Sequence, residues 1–217
     1  MKKTLLLHGF GQNGQSFYTR LGSIRRLNKK QEYYSPDAPF TVVVENGQYV
    51  LGSDPPVNVA AAVSDIQDNA KAYYVWEIDQ SVKSGRRFYH LQESVNFIID
   101  LIQKNNYDNI IAFSQGATAL LCALKQSAIQ VKVCLVSPWW YDKIYSQKQP
   151  QLIENIIQQD ILQDITVIYG KTDNSISQQS FHTLRLEFPN FKYIEHEGGH
   201  FVPGNKDFKQ FWKEWLA

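Results

Sequence analysis

Ile110-Ile111-Ala112-Phe113-Ser114-Gln115-Gly116-Ala117 is the stretch on which the reading of this 217-residue chain turns. The apolar run up to Phe113 has the look of a buried strand, and a helix-forming run follows from Ala117 through Ala119–Leu121 to Leu124. Between them stands a serine with Ala112 and Gly116 two places to either side. A turn this tight between strand and helix leaves no room for larger side chains at those two places. It is the geometry of a nucleophile elbow, which lifts the serine Oγ above the sheet and turns the next backbone N–H, that of Gln115, toward a developing oxyanion. A plain helix cap is the competing reading, but a capping box calls for Glu or Gln three residues on, where Ala117 stands.

Composition narrows the possibilities. The chain is 43% hydrophobic and 13% aromatic, enough for one globular domain over residues 1–217 with a sizeable core. Its formal charge is +1 with no long run of one sign, so neither nucleic acid nor an anionic membrane is expected as a partner. Cys122 and Cys134 lie in apolar stretches and read as reduced core residues, with no disulfide framework, metal site or cofactor expected. Lys2 and Lys3 before Thr4-Leu5-Leu6-Leu7 mimic the start of a signal peptide, but His8-Gly9 interrupts the run too early. No span has the length of a transmembrane helix, and a cytoplasmic location is expected.

Along the chain, Lys3–Leu7 reads as a buried parallel strand. The loop His8-Gly9-Phe10-Gly11-Gln12-Asn13-Gly14 follows it and lacks both the Gly-Lys-Ser/Thr ending and the GxGxxG pattern of phosphate binders. It is better read as the second arm of an oxyanion hole, with the Phe10 N–H as donor. Phe17–Leu27 has helical spacing, and Tyr33-Tyr34 runs as a strand into the Pro-punctuated 35–39 loop. Residues 45–85 are the least regular part and read as an excursion that walls the substrate side. Phe88–Lys104 is amphipathic, with Leu91, Val95, Ile98, Ile99 and Ile102 on one face. Further strands are expected at Val131–Val136, Ile165–Tyr169 and Phe191–Ile194, and helices at Leu152–Leu162, Phe181–Phe188 and Phe208–Leu216.

Strands alternating with helices imply an α/β fold, a mostly parallel sheet with helices on both faces. Ligands in such folds sit beyond the carboxyl ends of the strands. Phe10, Ser114, Trp139, Asp173 and His200 each follow a strand at that end. Ser114, Asp173 and His200 also occur in the chain order of the α/β-hydrolase triad. His200 would take the Ser114 proton, and Asp173 would hold the imidazole in its working tautomer. His196 competes for the base, but the Gly198-Gly199 turn favours His200. Asp142, after the preceding strand, competes for the acid. His90 and His182 read as helix surface or packing residues. Phe10, Trp139, Trp140, Phe201 and Val202 are the candidate walls of an acyl pocket.

Taken together, Leu7–Gly14, Asp37-Ala38-Pro39, Phe113–Ala117, Tyr169–Asp173 and His196–Pro203 resemble the FSH1 serine hydrolase family along nearly the whole chain. That resemblance implies hydrolysis of carboxylic esters with a preference for aliphatic acyl chains, and its catalytic serine, acid and histidine fall on Ser114, Asp173 and His200. Two departures stand out: Ala112 where the family usually has Gly, and Phe40 after Asp-Ala-Pro where His is common. The partner expected is thus a small-molecule acyl ester. The alternatives are a thioester or lysophospholipid substrate, or a non-catalytic scaffold that keeps the fold and leaves its pocket idle.

Overall fold

In a strand successive side chains point to opposite faces, and Leu5, Leu6 and Leu7 are all fully buried. Both faces of this strand are therefore covered, as the sequence implies. In the computed structural model, which describes residues 1–45, 48–51, 69–79, 85–140 and 164–217, the strand is β1 (Lys2–Leu7). It lies in a six-stranded sheet with β2 (Gln31–Tyr34), β8 (Asn109–Phe113), β9 (Lys132–Val136), β10 (Ile165–Gly170) and β11 (Lys192–His196). The order is β11-β10-β9-β8-β1-β2, and every pairing is parallel.

Two apolar layers sandwich this sheet. Leu5, Leu7, Ile110, Ala112, Val133, Leu135 and Val167 pack on one face against α3 (Leu91–Asn105), α4 (Gln115–Gln126) and α5 (Gln178–Glu187). On the other face Leu6, Ile111, Phe113, Cys134, Val136 and Ile168 meet α1 (Gly14–Arg20), α2 (Gly22–Arg25) and α6 (Lys209–Trp215). Both cysteines are buried, and burial pushes the Cys134 thiol well above its usual range. None of the described helices is long and apolar enough to cross a membrane.

Several expected boundaries move. The helix expected over Phe17–Leu27 is two short ones, parted at Leu21, which leaves the helical region at φ −81°, ψ 13°. The helix expected from Phe88 starts at Leu91. Phe88 and Tyr89 instead belong to β7 (Gly85–Tyr89), which pairs antiparallel with β6 (Val75–Asp79). His90, at φ 66°, makes the corner between strand and helix. Part of the 45–85 excursion is regular: β3 (Phe40–Glu45) pairs antiparallel with β4 (Gln48–Leu51) and with β5 (Lys71–Ala72). Residues 46–47, 52–68 and 80–84 of it, the helix expected at 152–162 and the competitor Asp142 lie outside the described residues.

The strand order fixes where a site can form. Starting from β1, the chain adds β2 on one side and β8 on the other. The loops after β1 and β8 therefore diverge at a topological switch point, where open α/β sheets leave a crevice. Those loops carry Phe10 and Ser114.

Candidate active site

Ser114 sits at φ 52°, ψ −116°, a left-handed backbone conformation that costs a non-glycine residue about 1–3 kcal/mol. The turn is held from outside. The Ser114 N–H donates to the Val136 carbonyl at 2.8 Å, and the first turn of α4 returns the Thr118 N–H to the Ser114 carbonyl at 3.1 Å. Gly116 is small for a reason the sequence alone did not expose. A Cβ there would lie 2.4 Å from the His8 carbonyl oxygen and 3.0 Å from that of Leu7. The end of β1, not the serine's own flank, forbids a side chain at this place.

The elbow brings Ser114 Oγ to 2.9 Å from His200 Nε2, and His200 Nδ1 stands 2.8 Å from Asp173 Oδ2. The Asp173 carboxyl is closed off from solvent, and its other oxygen accepts the N–H groups of Ser175 and Ile176 at 2.9 Å each. Burial alone would raise its pKa. The His200 hydrogen bond, the two backbone donors and the imidazolium charge outweigh burial and hold the carboxyl below its ordinary value. An ionised, fully bonded Asp173 can orient the ring and stabilise it when protonated.

Asp173 and His200 come from loops that are sewn together. Lys171 N–H donates to the His196 carbonyl at 2.8 Å, and Thr172 N–H to that of Gly198 at 3.1 Å. A Cβ on Gly170 would stand 2.3 Å from the carbonyl oxygens of both Gly198 and Gly199. His196, the competing base, is turned to a different task. It is 7% exposed, and its Nδ1 accepts the Gly198 N–H at 3.1 Å, which fixes the turn that delivers His200. Burial lowers the His196 pKa, against the opposing charges of Asp173 and Glu195.

The loop after β1 is equally constrained. Gln12 N–H closes a turn onto the Gly9 carbonyl at 3.4 Å, with Gly11 at φ 72° in the position where a type II turn favours glycine. Gly9 N–H donates to Gln12 Oε1 at 2.9 Å, and Gly11 N–H to the Lys71 carbonyl at 3.0 Å. Phe10 stands between these two tethers. At the base of the loop His8 is fully buried. Burial, only partly countered by the Gly9 carbonyl and Asp37, brings its pKa down to about 4, with Lys71 adding to the drop. Its Nε2 accepts the Ala38 N–H at 3.0 Å, so Nδ1 carries the proton and donates to the Gly9 carbonyl at 2.8 Å.

The expected pocket walls divide. Trp139 is half-buried, and both its backbone groups are hydrogen-bonded to Thr118 Oγ1, at 3.0 Å from the N–H and 2.8 Å to the carbonyl. Phe201 is exposed with its ring 5.0 Å from that of His196, while Val202 packs toward the α1–α2–α6 layer. Trp140 is held in the core. Its side chain is 3% exposed, and Nε1–H donates to Glu187 of α5 at 2.6 Å. Its ring meets Phe188 edge-on, with the Lys125 ammonium 5.3 Å from its centroid. The buried Lys125 is itself paired to Glu187 at 2.6 Å. Trp140 is therefore a joint between α4 and α5, and it is committed because an indole N–H in the core needs an acceptor.

Sequence reasoning missed Phe113, Thr118 and the side chains of Gln12 and Gln115. Phe113 packs its ring 4.9 Å from His200. A strand-end aromatic directly before the elbow serine was the available signal. Among the described residues no cluster of His, Cys, Asp and Glu has the makings of a metal site.

Comparison with known proteins follows the same lines. Residues 1–212 match the serine hydrolase (FSH1) family. The chain is 26% identical to the esterase OVCA2 of Xenopus tropicalis, over 99% of this chain and 91% of that protein. It is also 26% identical to human esterase OVCA2, over 99% and 95%. In fold it resembles SOBER1 of Arabidopsis thaliana (TM-score 0.64, 14% identity, 99% and 97% covered). Zea mays acyl-protein thioesterase 2 is similar to the same degree (TM-score 0.64, 16% identity, 99% and 92% covered). A match over residues 1–212, nearly the whole chain, leaves one conclusion: this chain belongs to the FSH1 family of serine hydrolases.

Proposed function

We propose that the chain is one catalytic domain that hydrolyses carboxylic esters of short-to-medium aliphatic acids through an acyl-enzyme on Ser114. The carrying observation is the continuous hydrogen-bonded series Ser114–His200–Asp173, at 2.9 and 2.8 Å. His200 Nε2 takes the Oγ proton as Oγ bonds to the ester carbonyl carbon, and Asp173 stabilises the imidazolium formed. The carbonyl oxygen becomes an oxyanion, which the N–H groups of Gln115 and Phe10 receive. Gln115 opens α4, whose N-terminal dipole adds to that stabilisation. Collapse of the tetrahedral adduct expels the alcohol, which leaves with the proton from His200. Water then attacks the acyl-enzyme by the same route and releases the acid.

The esterase names of the OVCA2 relatives support ester chemistry, and the half-buried Trp139 and the exposed Phe201, which follows His200 in the chain, support an apolar acyl wall. Labelling by a fluorophosphonate probe tests the nucleophile, because it needs an activated serine and ignores substrate identity. Wild type should label and Ser114→Ala should not; labelling that survives in Ser114→Ala overturns the assignment. A panel of esters and thioesters of graded chain length on the purified protein then separates the acyl donors.

A further inference from the structure

The carboxamide of Gln115 is 41 and 42 residues from the chain that it binds. Its Oε1 accepts the Tyr73 N–H at 2.8 Å, and its Nε2 donates to the Tyr74 carbonyl at 2.6 Å. Tyr73 and Tyr74 lie between β5 and β6, outside both strands. Gln115 is 4% exposed, so both ends of the amide are spent on this one contact. Ser94 of α3 donates its hydroxyl to the Tyr73 carbonyl, which fixes the same segment from a second side.

Two residues before Tyr73, Lys71 grips the loop after β1. Its carbonyl accepts the Gly11 N–H at 3.0 Å and its N–H donates to the Gln12 carbonyl at 2.7 Å. The Tyr73 ring, fully buried, rests 5.4 Å from the His8 ring at the foot of that loop. A short path therefore joins the two candidate oxyanion arms. It runs from Gln115 through Tyr73 and Lys71 to the pair of residues directly after Phe10.

We infer that the Gln115 side chain is a positioning residue, which holds the Phe10 arm in register with the N–H of Gln115 itself. This rests on the proposed reaction at Ser114. A methionine would fill much the same volume but could neither accept from Tyr73 nor donate to Tyr74. An ionised glutamate could accept but not donate, and would add negative charge beside the developing oxyanion. Oxyanion donors act through pre-set geometry, so small displacements register in the transition state more than in substrate binding.

The test uses Gln115→Met and Gln115→Glu, with active sites counted by fluorophosphonate titrated to completion. For Gln115→Met, kcat per titrated site on a butyrate ester should fall about ten- to a hundredfold with KM little changed, somewhat less than removal of an oxyanion donor outright. Affinity for an alkylboronic acid, which forms a tetrahedral adduct on the serine, should weaken by a similar factor. Per-site kcat and boronate affinity at wild-type values, with only melting temperature or titrated fraction lowered, would make the clamp purely structural and overturn the inference. Gln115→Glu should regain activity relative to wild type as pH falls, since the protonated acid can make both bonds. A ratio that is low and flat with pH also overturns it. Failure of the underlying reaction shows separately, as wild type that does not label at Ser114.

Discussion

The rings of Phe113 and His200 lie 4.9 Å apart at 40°, so the last residue of the strand that presents the serine also backs the imidazole. Phe113 is in turn stacked on Phe17 of α1 at 6.1 Å. The proposed nucleophile and its proposed base thus share one support. Phe113→Leu should lower kcat through a loosened His200, with a modest loss of stability. Phe113→Ala should also cost about 3–5 kcal/mol of stability, as large-to-small core changes do. Chemical denaturation beside ester kinetics checks both, and a Phe113→Leu enzyme with wild-type kcat would dismiss the support role.

The strain at Ser114 predicts a trade between activity and stability. Ser114→Gly relieves the φ of 52° and should melt above Ser114→Ala, by the equivalent of about 1 kcal/mol, with both variants inactive. If Ser114→Ala melts at or above the glycine variant, the elbow is not strained in solution.

Asp173 supplies a pH signature. Its carboxyl is held below the ordinary value in the folded state, so the unfolded chain binds the proton more readily. The resulting stability is present above the unfolded value of about 3.9 and is lost as pH falls toward the lower folded value. Asp173→Asn should flatten this part of the acid limb. It should also lower kcat by up to about 10⁴ by presenting the wrong imidazole tautomer. Denaturation midpoints between pH 2 and 5, roughly the span around that unfolded value, would show an unchanged acid limb if the role is misassigned.

His8 acts with the same sign over a higher range. Buried and neutral, it titrates at about 4, whereas the unfolded chain titrates near its ordinary 6.5. Protons therefore favour the unfolded state between those values, and stability should drop by roughly 1.4 kcal/mol per pH unit at most as pH falls from 6.5 to 4. His196, also shifted down by burial, adds in the same direction. His8→Gln should flatten the slope over that window.

The two neighbouring tryptophans should separate cleanly. Trp140→Ala should cost stability, about 3–5 kcal/mol, because it empties the joint around Glu187 and Lys125. Trp139→Ala should instead flatten the rise of kcat/KM with acyl chain length, which buried methylenes support at about 0.8 kcal/mol each. Melting curves and a chain-length series decide, and the reverse assignment would place Trp140 at the pocket.

Residue order alone reached far in this chain. Patterning is local, so Leu5-Leu6-Leu7 and Ile110-Ile111-Ala112 announced strands covered on both faces. The spacing of Ala112, Ser114 and Gly116 announced the elbow. The order of Ser114, Asp173 and His200, each after a strand, announced a shared end of the sheet. Tertiary structure decided what depends on distant neighbours. The steric demand at Gly116 comes from the carbonyls of Leu7 and His8, more than a hundred positions earlier in the chain. Which of His196 and His200 reaches Ser114, and which accepts the Gly198 N–H, depends on the folded loops. Trp139 and Trp140 are alike in sequence, and an acceptor such as Glu187, reached only in the fold, helps hold one of them in the core. The bond from Gln115 to Tyr73 joins an irregular segment, whose backbone groups carry no sequence signal of where they will find partners.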